Sequence, residues 1–396
     1  ASGGDPWVWC GARRLPVPGA DSFEPPARLT PAEDPDRTIA CALAEPVGSP
    51  RLGEVARAAL RRTGELVIAV PDGSRACPIP AIVERLLAEL TAAGVPDDRV
   101  SVAVGCGLHA TTSPDERRAL VGERAAGRVE IFDAQGIESP SADLGATVGG
   151  APVRIHRRVA GAALVVAVGV VEPHLYAGFS GGVKAVAIGC AGEETIAWTH
   201  APAFIVGRGV ELGRLDANPF QEALREIAAR TPLAYAVNAV VDDRGRPAAA
   251  LAGAPVAVQR ALAAAYRAAW LRPVPGPFDV VVVGVPSPKS DNLYQASRAA
   301  TYIGLQSSPA IAPGGTIVLC ADLPRGAGDG PGERNCATLL AAAASPGDLV
   351  ARGLREPLGP GGQRAFVLAR VLERFGVAVV GAHRRHADAL REIGRA

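Results

Sequence analysis

Short apolar runs rich in valine and isoleucine alternate with amphipathic stretches over the first two thirds of the chain, and no other sequence feature restricts the fold as strongly. The apolar runs, which we predict to be strands, are 66–70, 100–104, 129–132 and 162–171. The amphipathic stretches, which we predict to be helices, are 52–62, 79–93, 114–121, 193–198, 219–229 and 256–270. Because strand, helix and strand in succession are typical of a parallel sheet covered by helices, the pattern predicts an α/β fold.

A proline-rich segment, 272–277, divides the chain into two predicted domains. We place an N-terminal α/β domain at 1–271 and a smaller C-terminal α/β domain at 278–396, because the alternation resumes after the prolines. In sheets of this kind ligands bind beyond the carboxyl ends of the strands, and a cleft between domains is the usual site. We therefore predict two domains with mostly parallel sheets and an active-site cleft between them.

Charge and composition exclude several classes of partner. The 41 basic residues nearly balance the 40 acidic ones, so no overall field draws the chain to nucleic acid or to an anionic membrane. The longest uncharged apolar run, 159–171, is shorter than the ~20 residues that span a bilayer. The first residues lack a signal-peptide pattern, and the seven cysteines include no Cys-x-x-Cys pair. We expect a cytoplasmic protein with reduced thiols.

Lysine is almost absent from this chain, because arginine occupies nearly every basic position and only Lys184 and Lys289 remain. Arginine stays protonated, whereas lysine can lose its proton and form covalent bonds. Lys289 lies in a polar turn, where chance retention explains it. Lys184 ends a glycine-rich segment, and this context favours amine chemistry.

Polar residues follow three predicted strands and one helix, where open α/β sheets place their active groups. The clusters are Asp72 to Arg75, the glycine turn ending in His109, the segment from His174 to Lys184, and His200. Taken alone, Asp72 could form a turn beside a surface arginine, and His109 could be structural. His200 could bind a metal or end its helix as a satisfied histidine.

The segment from His174 to Lys184 contains three glycines and Ser180, and its backbone N–H groups could bind a phosphate. Its spacing does not match the phosphate-binding loop of nucleotide triphosphatases. The histidines near the strand ends include no pair at i, i+3 or i+4, so they suit proton transfer with at most one metal bond. His156, which lies among arginines, is expected to be exposed to solvent.

These residues resemble the nickel-dependent lactate racemases and their 2-hydroxyacid racemase and epimerase relatives, over most of the chain. The motifs that carry the resemblance are Asp72-x-x-Arg75, the turn ending in His109, His174-x-x-x-Gly-Phe-Ser-Gly-Gly-x-Lys184, His200, Asp216-x-Asn-Pro, and Asp291-x-x-x-Gln295-x-x-Arg298. The central motif is long and specific.

The resemblance implies a cofactor, the nickel-pincer nucleotide. This is a pyridinium-3,5-bisthiocarboxylic acid mononucleotide that holds nickel through two sulfur arms and a ring carbon. The resemblance implies that Lys184 is joined to it through a thioamide, which requires an amine, and that His200 supplies the remaining nickel ligand. It also implies cofactor-biosynthesis proteins as partners. The other residues expected to contact the cofactor are Asp72, Gly178, Ser180, Gly181 and Gly182.

The resemblance also implies an isomerase that racemises or epimerises a 2-hydroxy acid by reversible hydride transfer. One of His109 and His174 removes the hydroxyl proton while hydride leaves C2 for the cofactor, and the opposite histidine reprotonates the oxygen after hydride returns to the other face. Imidazole suits this exchange because its ordinary pKa is ~6.5. Arg75 is expected to bind the substrate carboxylate, with Gln295 and Arg298 reaching in from the second domain.

The substrate end of the pattern departs from that of the lactate enzymes. Arg298 stands where they typically have lysine, and Leu358 stands near the position of a tryptophan. Arg75 is followed by Ala76 and Cys77 rather than directly by proline. We therefore expect a 2-hydroxy acid other than lactate, one that is bulkier or carries an additional negative charge.

Two other functions are compatible with an α/β chain of this length. One is an ordinary nicotinamide-dependent dehydrogenase, but no Gly-x-Gly-x-x-Gly follows a strand. The other is a cofactor-binding homologue without activity, since a fold alone does not prove catalysis. Retention of both His109 and His174 argues against the second.

Overall fold

The computed structural model describes residues 6–22, 31–242, 245–271 and 273–393. The strands are β1 (Trp7–Gly11), β2 (Arg13–Pro16), β3 (Leu66–Pro71), β4 (Val100–Gly107), β5 (Glu130–Gln135), β6 (Ser141–Ala146), β7 (Pro152–His156), β8 (Leu164–Val170), β9 (Pro173–His174), β10 (Gly178–Phe179), β11 (Leu233–Val241), β12 (Pro247–Gly253), β13 (Phe278–Pro286), β14 (Ile311–Cys320) and β15 (Gly376–Val380). The helices are α1 (Pro35–Ala44), α2 (Leu52–Ala59), α3 (Ile79–Ala92), α4 (Pro114–Val121), α5 (Glu123–Ala126), α6 (Arg157–Ala160), α7 (Glu193–Thr199), α8 (Pro202–Ile205), α9 (Pro219–Ala229), α10 (Pro255–Trp270), α11 (Leu293–Gly304), α12 (Pro331–Ala342), α13 (Pro346–Arg355), α14 (Gly362–Leu372) and α15 (Ala387–Ile393). A π-helical turn covers Ala185–Gly189.

The described residues divide into two compact units, and both are α/β, as the sequence predicts. The N-terminal unit comprises residues 31–200 and 207–271, and the C-terminal unit comprises residues 6–22, 201–206 and 273–393. The predicted boundary, 1–271 against 278–396, differs from this grouping at the N-terminus and at residues 201–206, which also group with the C-terminal unit. At the N-terminus the reason is strand pairing: β1 runs parallel to β13, with Cys10 opposite Val285, so the first hairpin joins the C-terminal sheet.

In the N-terminal unit the described strands form a sheet in the order β12-β11-β8-β3-β4-β5. All neighbours are parallel except β11 and β12. Every residue of β8 is buried, as expected for a central strand covered on both faces. Because β3, β4 and β8 are adjacent and parallel, the loops that follow their carboxyl ends meet at one edge of the sheet.

Helices cover both faces of this sheet. On one face, α1, α2 and α3 contribute Ile39, Leu52 and Leu86 to a core that includes Ile68 and Val102 of the strands. On the other face, α10 packs Val258 and Leu262 against Phe179 and Val240. Each fully buried aliphatic side chain contributes roughly 1.5–3 kcal/mol relative to exposure, so these two layers hold the strand ends in place.

In the C-terminal unit the described strands form a sheet in the order β15-β14-β13-β1-β2. The strands β13, β14 and β15 are parallel, and β2 returns antiparallel beside β1. The predicted helices at 294–303, 336–344 and 363–375 correspond to α11, α12 and α14. Helix α11 packs Ala296 and Ala300 onto Leu319 and Ile317 of β14. No described helix of either unit is long and apolar enough to cross a membrane.

His156 is buried, although its arginine neighbours in the sequence predicted that it would be exposed. Its side chain is buried, with 7% relative exposure, and stacks on Phe132 with ring centroids 5.0 Å apart. His156 ends β7, whose last two residues are both buried, and its backbone N–H donates to the carbonyl of Cys190 at 2.8 Å. Burial, followed by the charge of Arg158, lowers the pKa of His156 below its ordinary value.

Candidate active site

The loop after β3 places Asp72 and Arg75 at the carboxyl edge of the N-terminal sheet. Asp72 accepts hydrogen bonds from the backbone N–H of Ser74 at 3.2 Å and from its hydroxyl at 2.5 Å. This local turn fixes the Asp72 carboxylate beside the neighbouring strand β4. The turn that the sequence suggested is present, and it orients a carboxylate toward a second cluster.

Asp72 pairs with His109, which follows Gly107 at the end of β4. The His109 Nδ1 lies 2.5 Å from Asp72 Oδ2, and the His109 side chain is 62% exposed while that of Asp72 is 15% exposed. Burial opposes ionisation of Asp72, but hydrogen bonds from His109 and Ser74 outweigh it and hold the pKa of the carboxyl below its usual range. An ionised carboxylate accepts the Nδ1 proton and leaves His109 Nε2 as the basic nitrogen.

Arg75 does not stand alone either, because Nη1 of its guanidinium forms an ion pair with the carboxylate of Glu172. Glu172 follows β8, so the pair joins the ends of two adjacent strands. Both side chains are partly exposed, at 27% for Arg75 and 34% for Glu172. Glu172 has no role that the sequence predicts, since nothing local to it indicates a partner 97 residues away.

His174 and Lys184 lie next to each other in the loop after β8. The backbone N–H groups of Tyr176 and Ala177 donate to His174 Nδ1 at 3.3 and 3.2 Å. His174 Nε2 lies 3.2 Å from Lys184 Nζ, so both ring nitrogens face N–H donors. The structure thus brings together two residues that the sequence singled out separately.

Two buried amide side chains form hydrogen bonds with the backbone of the loop from His174 to Lys184. Asn238 Oδ1 accepts the backbone N–H of Gly182 at 2.6 Å, and Gln259 Nε2 donates to the carbonyl of Ser180 at 3.0 Å. The Ser180 hydroxyl donates to the carbonyl of Val170 at 2.7 Å. Sequence reasoning missed Asn238 and Gln259, although each is a polar residue at a fully buried position, and Asn238 stands in the apolar strand β11.

The glycines of the loop have a visible steric role. Gly181 has a φ of +79°, and a Cβ there would lie 2.7 Å from Val171 and 2.8 Å from Asn238. Gly178, with a φ of +75°, packs so closely that a Cβ would overlap the carbonyl of Arg214. These positions therefore require glycine for the chain path alone. The expected contacts of Asp72, Gly178, Ser180, Gly181 and Gly182 with a cofactor stay predictions.

His200 ends helix α7. Its Nδ1 lies 3.0 Å from the carbonyl of Ile196, which can only accept, so Nδ1 carries the proton and Nε2 has the lone pair. Its ring lies 5.3 Å from that of Phe220 and 5.9 Å from that of Tyr176, and the ring of His174 lies 5.9 Å from that of Tyr176. One aromatic cluster thus joins His174 and His200. Within the described residues no three His, Cys, Asp or Glu side chains form a metal-binding group.

Gln295 and Arg298 lie on α11 of the C-terminal unit. The helix begins at Asn292, whose side chain accepts the backbone N–H of Gln295 at 2.9 Å. Asp291 of the same motif forms an ion pair with Arg325. The expected contacts of Gln295 and Arg298 with a substrate stay predictions.

Comparison with known proteins identifies relatives of this chain. A family model described as the lactate racemase N-terminal domain matches residues 15–213. The lactate racemase of Lactiplantibacillus plantarum is 28% identical over 349 residues, which cover 87% of this chain and 79% of the relative. The lactate racemase of Thermoanaerobacterium thermosaccharolyticum is 27% identical over 346 residues, which cover 86% of this chain and 78% of the relative.

Solved structures share the fold. The lactate racemase apoprotein from Thermoanaerobacterium thermosaccharolyticum superposes with a TM-score of 0.84 at 23% identity, covering 98% of this chain and 90% of that one. A protein from Thermotoga maritima superposes with a TM-score of 0.65 at 16% identity, covering 87% of this chain and 92% of that one. Since the family model spans half of the sequence, the chain belongs to the lactate racemase family, a family of isomerases.

Proposed function

We propose that this protein racemises or epimerises a 2-hydroxy acid with a nickel-pincer nucleotide attached to Lys184. The relatives that carry this proposal are named lactate racemases. The structural observation behind it is that the pairs Asp72–His109 and His174–Lys184 follow β3, β4 and β8, which are adjacent in the sheet. The edge thus carries an amine for attachment and two imidazoles for proton transfer.

The residues present fit the implied cofactor. Lys184 offers the amine that a thioamide requires, and the neighbouring Gly181 and Gly182 carry no side chain beside it. His200 is a suitable nickel ligand because its Nδ1 proton is donated to the Ile196 carbonyl, which leaves the lone pair of the neutral ring on Nε2. A single protein ligand is sufficient when the nucleotide supplies the others. When bound, the cofactor supplies reversible acceptance of hydride.

The two histidines differ in their partners, and both offer an imidazole for exchange of the substrate hydroxyl proton. His109 presents a basic Nε2, because its Nδ1 proton is held by the Asp72 carboxylate. His174 lies between donors, with two backbone N–H groups at Nδ1 and Lys184 Nζ at Nε2. In this proposal one ring accepts a proton while the other donates one, and the roles reverse for the opposite enantiomer.

Arg75 binds the substrate carboxylate in this proposal, and Gln295 and Arg298 contact the substrate from the C-terminal unit. Arginine suits this task because its planar fork of donors matches a carboxylate. Arg298 and Leu358 depart from the pattern of the lactate enzymes at the substrate end. We therefore propose a substrate that is bulkier than lactate or carries a second negative charge.

The test of this proposal depends on the small number of lysines, since only Lys184 and Lys289 could carry the cofactor through an amine. The protein is produced together with the cofactor-biosynthesis proteins and examined by intact mass, nickel content and peptide mapping. We expect one nickel per chain and an adduct confined to the peptide that contains Lys184. Lys184→Arg keeps the charge but should not load covalently, because the guanidinium stays protonated. Lys289→Arg is the matched control and should load like the wild type.

Two outcomes would overturn the proposal. An adduct on another residue, or Lys184→Arg that loads and racemises like the parent, removes the cofactor assignment. A panel of single 2-hydroxy acid enantiomers, followed by chiral chromatography without added nicotinamide, tests the reaction itself. Oxidation that depends on added nicotinamide would instead identify a dehydrogenase.

A further inference from the structure

Glu172 lies between the two parts of the candidate site and has no role in the reaction described above. Its backbone is tied to the cofactor loop, because the Ser180 N–H donates to its carbonyl at 2.9 Å and its own N–H donates to the Ser180 hydroxyl at 3.1 Å. Its side chain pairs with Arg75. One residue thus connects the loop that carries Lys184 to the loop that carries the carboxylate-binding arginine.

The contact leaves most of the Arg75 fork available. It joins one nitrogen, Nη1, to one oxygen, Oε1, so the pairing is not the two-bond arrangement that guanidinium and carboxylate often adopt. Arginine has five N–H donors, and a second carboxylate can bind at another edge of the same plane. Glu172 and a substrate carboxylate can therefore contact Arg75 at the same time.

If the Arg75 side chain is held in one rotamer before the substrate binds, the substrate should bind more tightly. A long, 27% exposed arginine loses rotamer freedom when it binds an anion, and a side chain that is already held loses less. The carboxylate of Glu172 supplies this restraint from a backbone that is itself anchored to Ser180. The negative charge of Glu172 also repels an anionic ligand, and this effect weakens binding. A variant without the charge loses this repulsion together with the restraint on Arg75.

We propose that Glu172 is a positioning residue that orients the Arg75 guanidinium toward the carboxylate of the 2-hydroxy acid. This inference rests on the proposed function, since it assigns a role within the same site. Glu172 acts only through Arg75 and touches no reacting atom. It sets how tightly the substrate carboxylate is bound and leaves the proton and hydride steps to other groups.

The experiment compares two variants that lose the same charge. Glu172→Gln keeps an acceptor oxygen for Arg75, and Glu172→Ala removes it. The loaded full-length protein is titrated with oxalate, a small carboxylate probe, by calorimetry. Steady-state KM and kcat are measured for the 2-hydroxy acid that the wild type racemises fastest. We expect the Kd for oxalate and the KM to rise about tenfold in Glu172→Ala and about threefold in Glu172→Gln, with kcat within threefold of the wild type.

The same pair in an Arg75→Met background tests whether the effect passes through Arg75. Once Arg75 is absent, Glu172→Ala and Glu172→Gln should have equal Kd and KM. If Kd or KM still differs between the two Glu172 variants in the Arg75→Met background, the inference is overturned. It is also overturned if both variants change Kd and KM equally when Arg75 is present, since that result would show simple charge repulsion. Failure of the wild type to bind oxalate also overturns it.

Failure of this inference is separable from failure of the proposed function. If the adduct on Lys184 and racemisation persist but Kd and KM do not follow the expected order, only the role of Glu172 falls. If no adduct or no racemisation is found, the proposed function itself falls. Melting temperatures of all variants show whether a change in KM reflects loss of folding.

Discussion

The two ends of the six-stranded N-terminal sheet both carry charged residues from different strands, yet the kinds of residue differ between them. At the amino end, Arg158 donates hydrogen bonds to the carboxylates of Glu65 and Glu130, with an N···O distance of 2.8 Å in each pair. Its guanidinium carbon also lies 4.0 Å from the ring centroid of Phe132. At the carboxyl end, Asp72 pairs with His109 and His174 contacts Lys184. Cross-strand polar contacts are thus present at both ends.

The difference lies in the types of charged and polar group that each end carries. At the amino end, hydrogen bonds that Arg158 donates to the carboxylates of Glu65 and Glu130 raise its pKa. Burial opposes ionisation of Glu65, but hydrogen bonds from Arg158 and Ser101 outweigh it and lower its pKa. Those charges are permanent at neutral pH, whereas the carboxyl end carries imidazole and amine groups on glycine-containing loops. Residue type, rather than the architecture, separates an end built from ion pairs from the end that we propose to be reactive.

The largest effect that would sharpen this contrast is expected from His109→Ala. Removing the proton acceptor should lower the racemisation rate by about 10²- to 10⁴-fold from either enantiomer. The melting temperature should change little, because the His109 side chain is 62% exposed. Nickel content should also stay the same. Initial rates from both enantiomers provide the measurement, and near-normal rates would show that His109 is not an acid or base here.

A smaller but related effect is expected from Asp72→Asn. The amide carries no charge to stabilise a protonated His109, and its N–H can donate to Nδ1 and so move the proton to Nε2. We expect a loss of about 10- to 100-fold in rate, following the size of effects seen when partners of functional histidines are removed. A pH–rate profile checks this, and an unchanged profile would contradict the pairing.

At the opposite end of the sheet, Arg158→Met should change stability and leave catalysis intact. Loss of its bonds to Glu65 and Glu130 should reduce the free energy of unfolding by about 1–3 kcal/mol. Chemical denaturation and kcat provide the two readouts. The control is Arg118→Met, since its pair with Glu123 is exposed and should contribute less than about 1 kcal/mol. A fall in kcat for folded Arg158→Met would break the comparison.

The smallest effect concerns His156, the buried histidine near the amino end. Its pKa is lowered in the folded state, so below the ordinary value of 6.5 the unfolded chain binds more protons. Stability should therefore fall as pH drops below 6.5, and this contribution is fully present only above it. Between pH 7 and pH 5.5, the free energy of unfolding of His156→Phe should therefore fall by about 0.5–1 kcal/mol less than that of the wild type. Parallel melting curves that keep the wild-type slope would contradict this.

Much of the architecture could be predicted from local patterns. The apolar run 162–171 contains β8, and the amphipathic stretches 79–93 and 219–229 match α3 and α9 closely. The polar clusters at strand ends also lie at one edge, because parallel neighbours end together. The hairpin of β1 and β2 was assigned to the wrong side of the boundary, since five apolar residues do not specify which sheet they will join.

The sequence by itself determined which residue types are available for chemistry: a retained Lys184, histidines after strand ends, and glycines where the loop must turn. Only the tertiary structure decided their partners. Arg75 meets Glu172 across 97 residues, and Gly182 meets Asn238 across 56. Such pairs depend on strand order and on which helix covers which face. Periodicity reports the environment of each residue along the chain, whereas a partner is chosen by packing between segments that are distant in sequence.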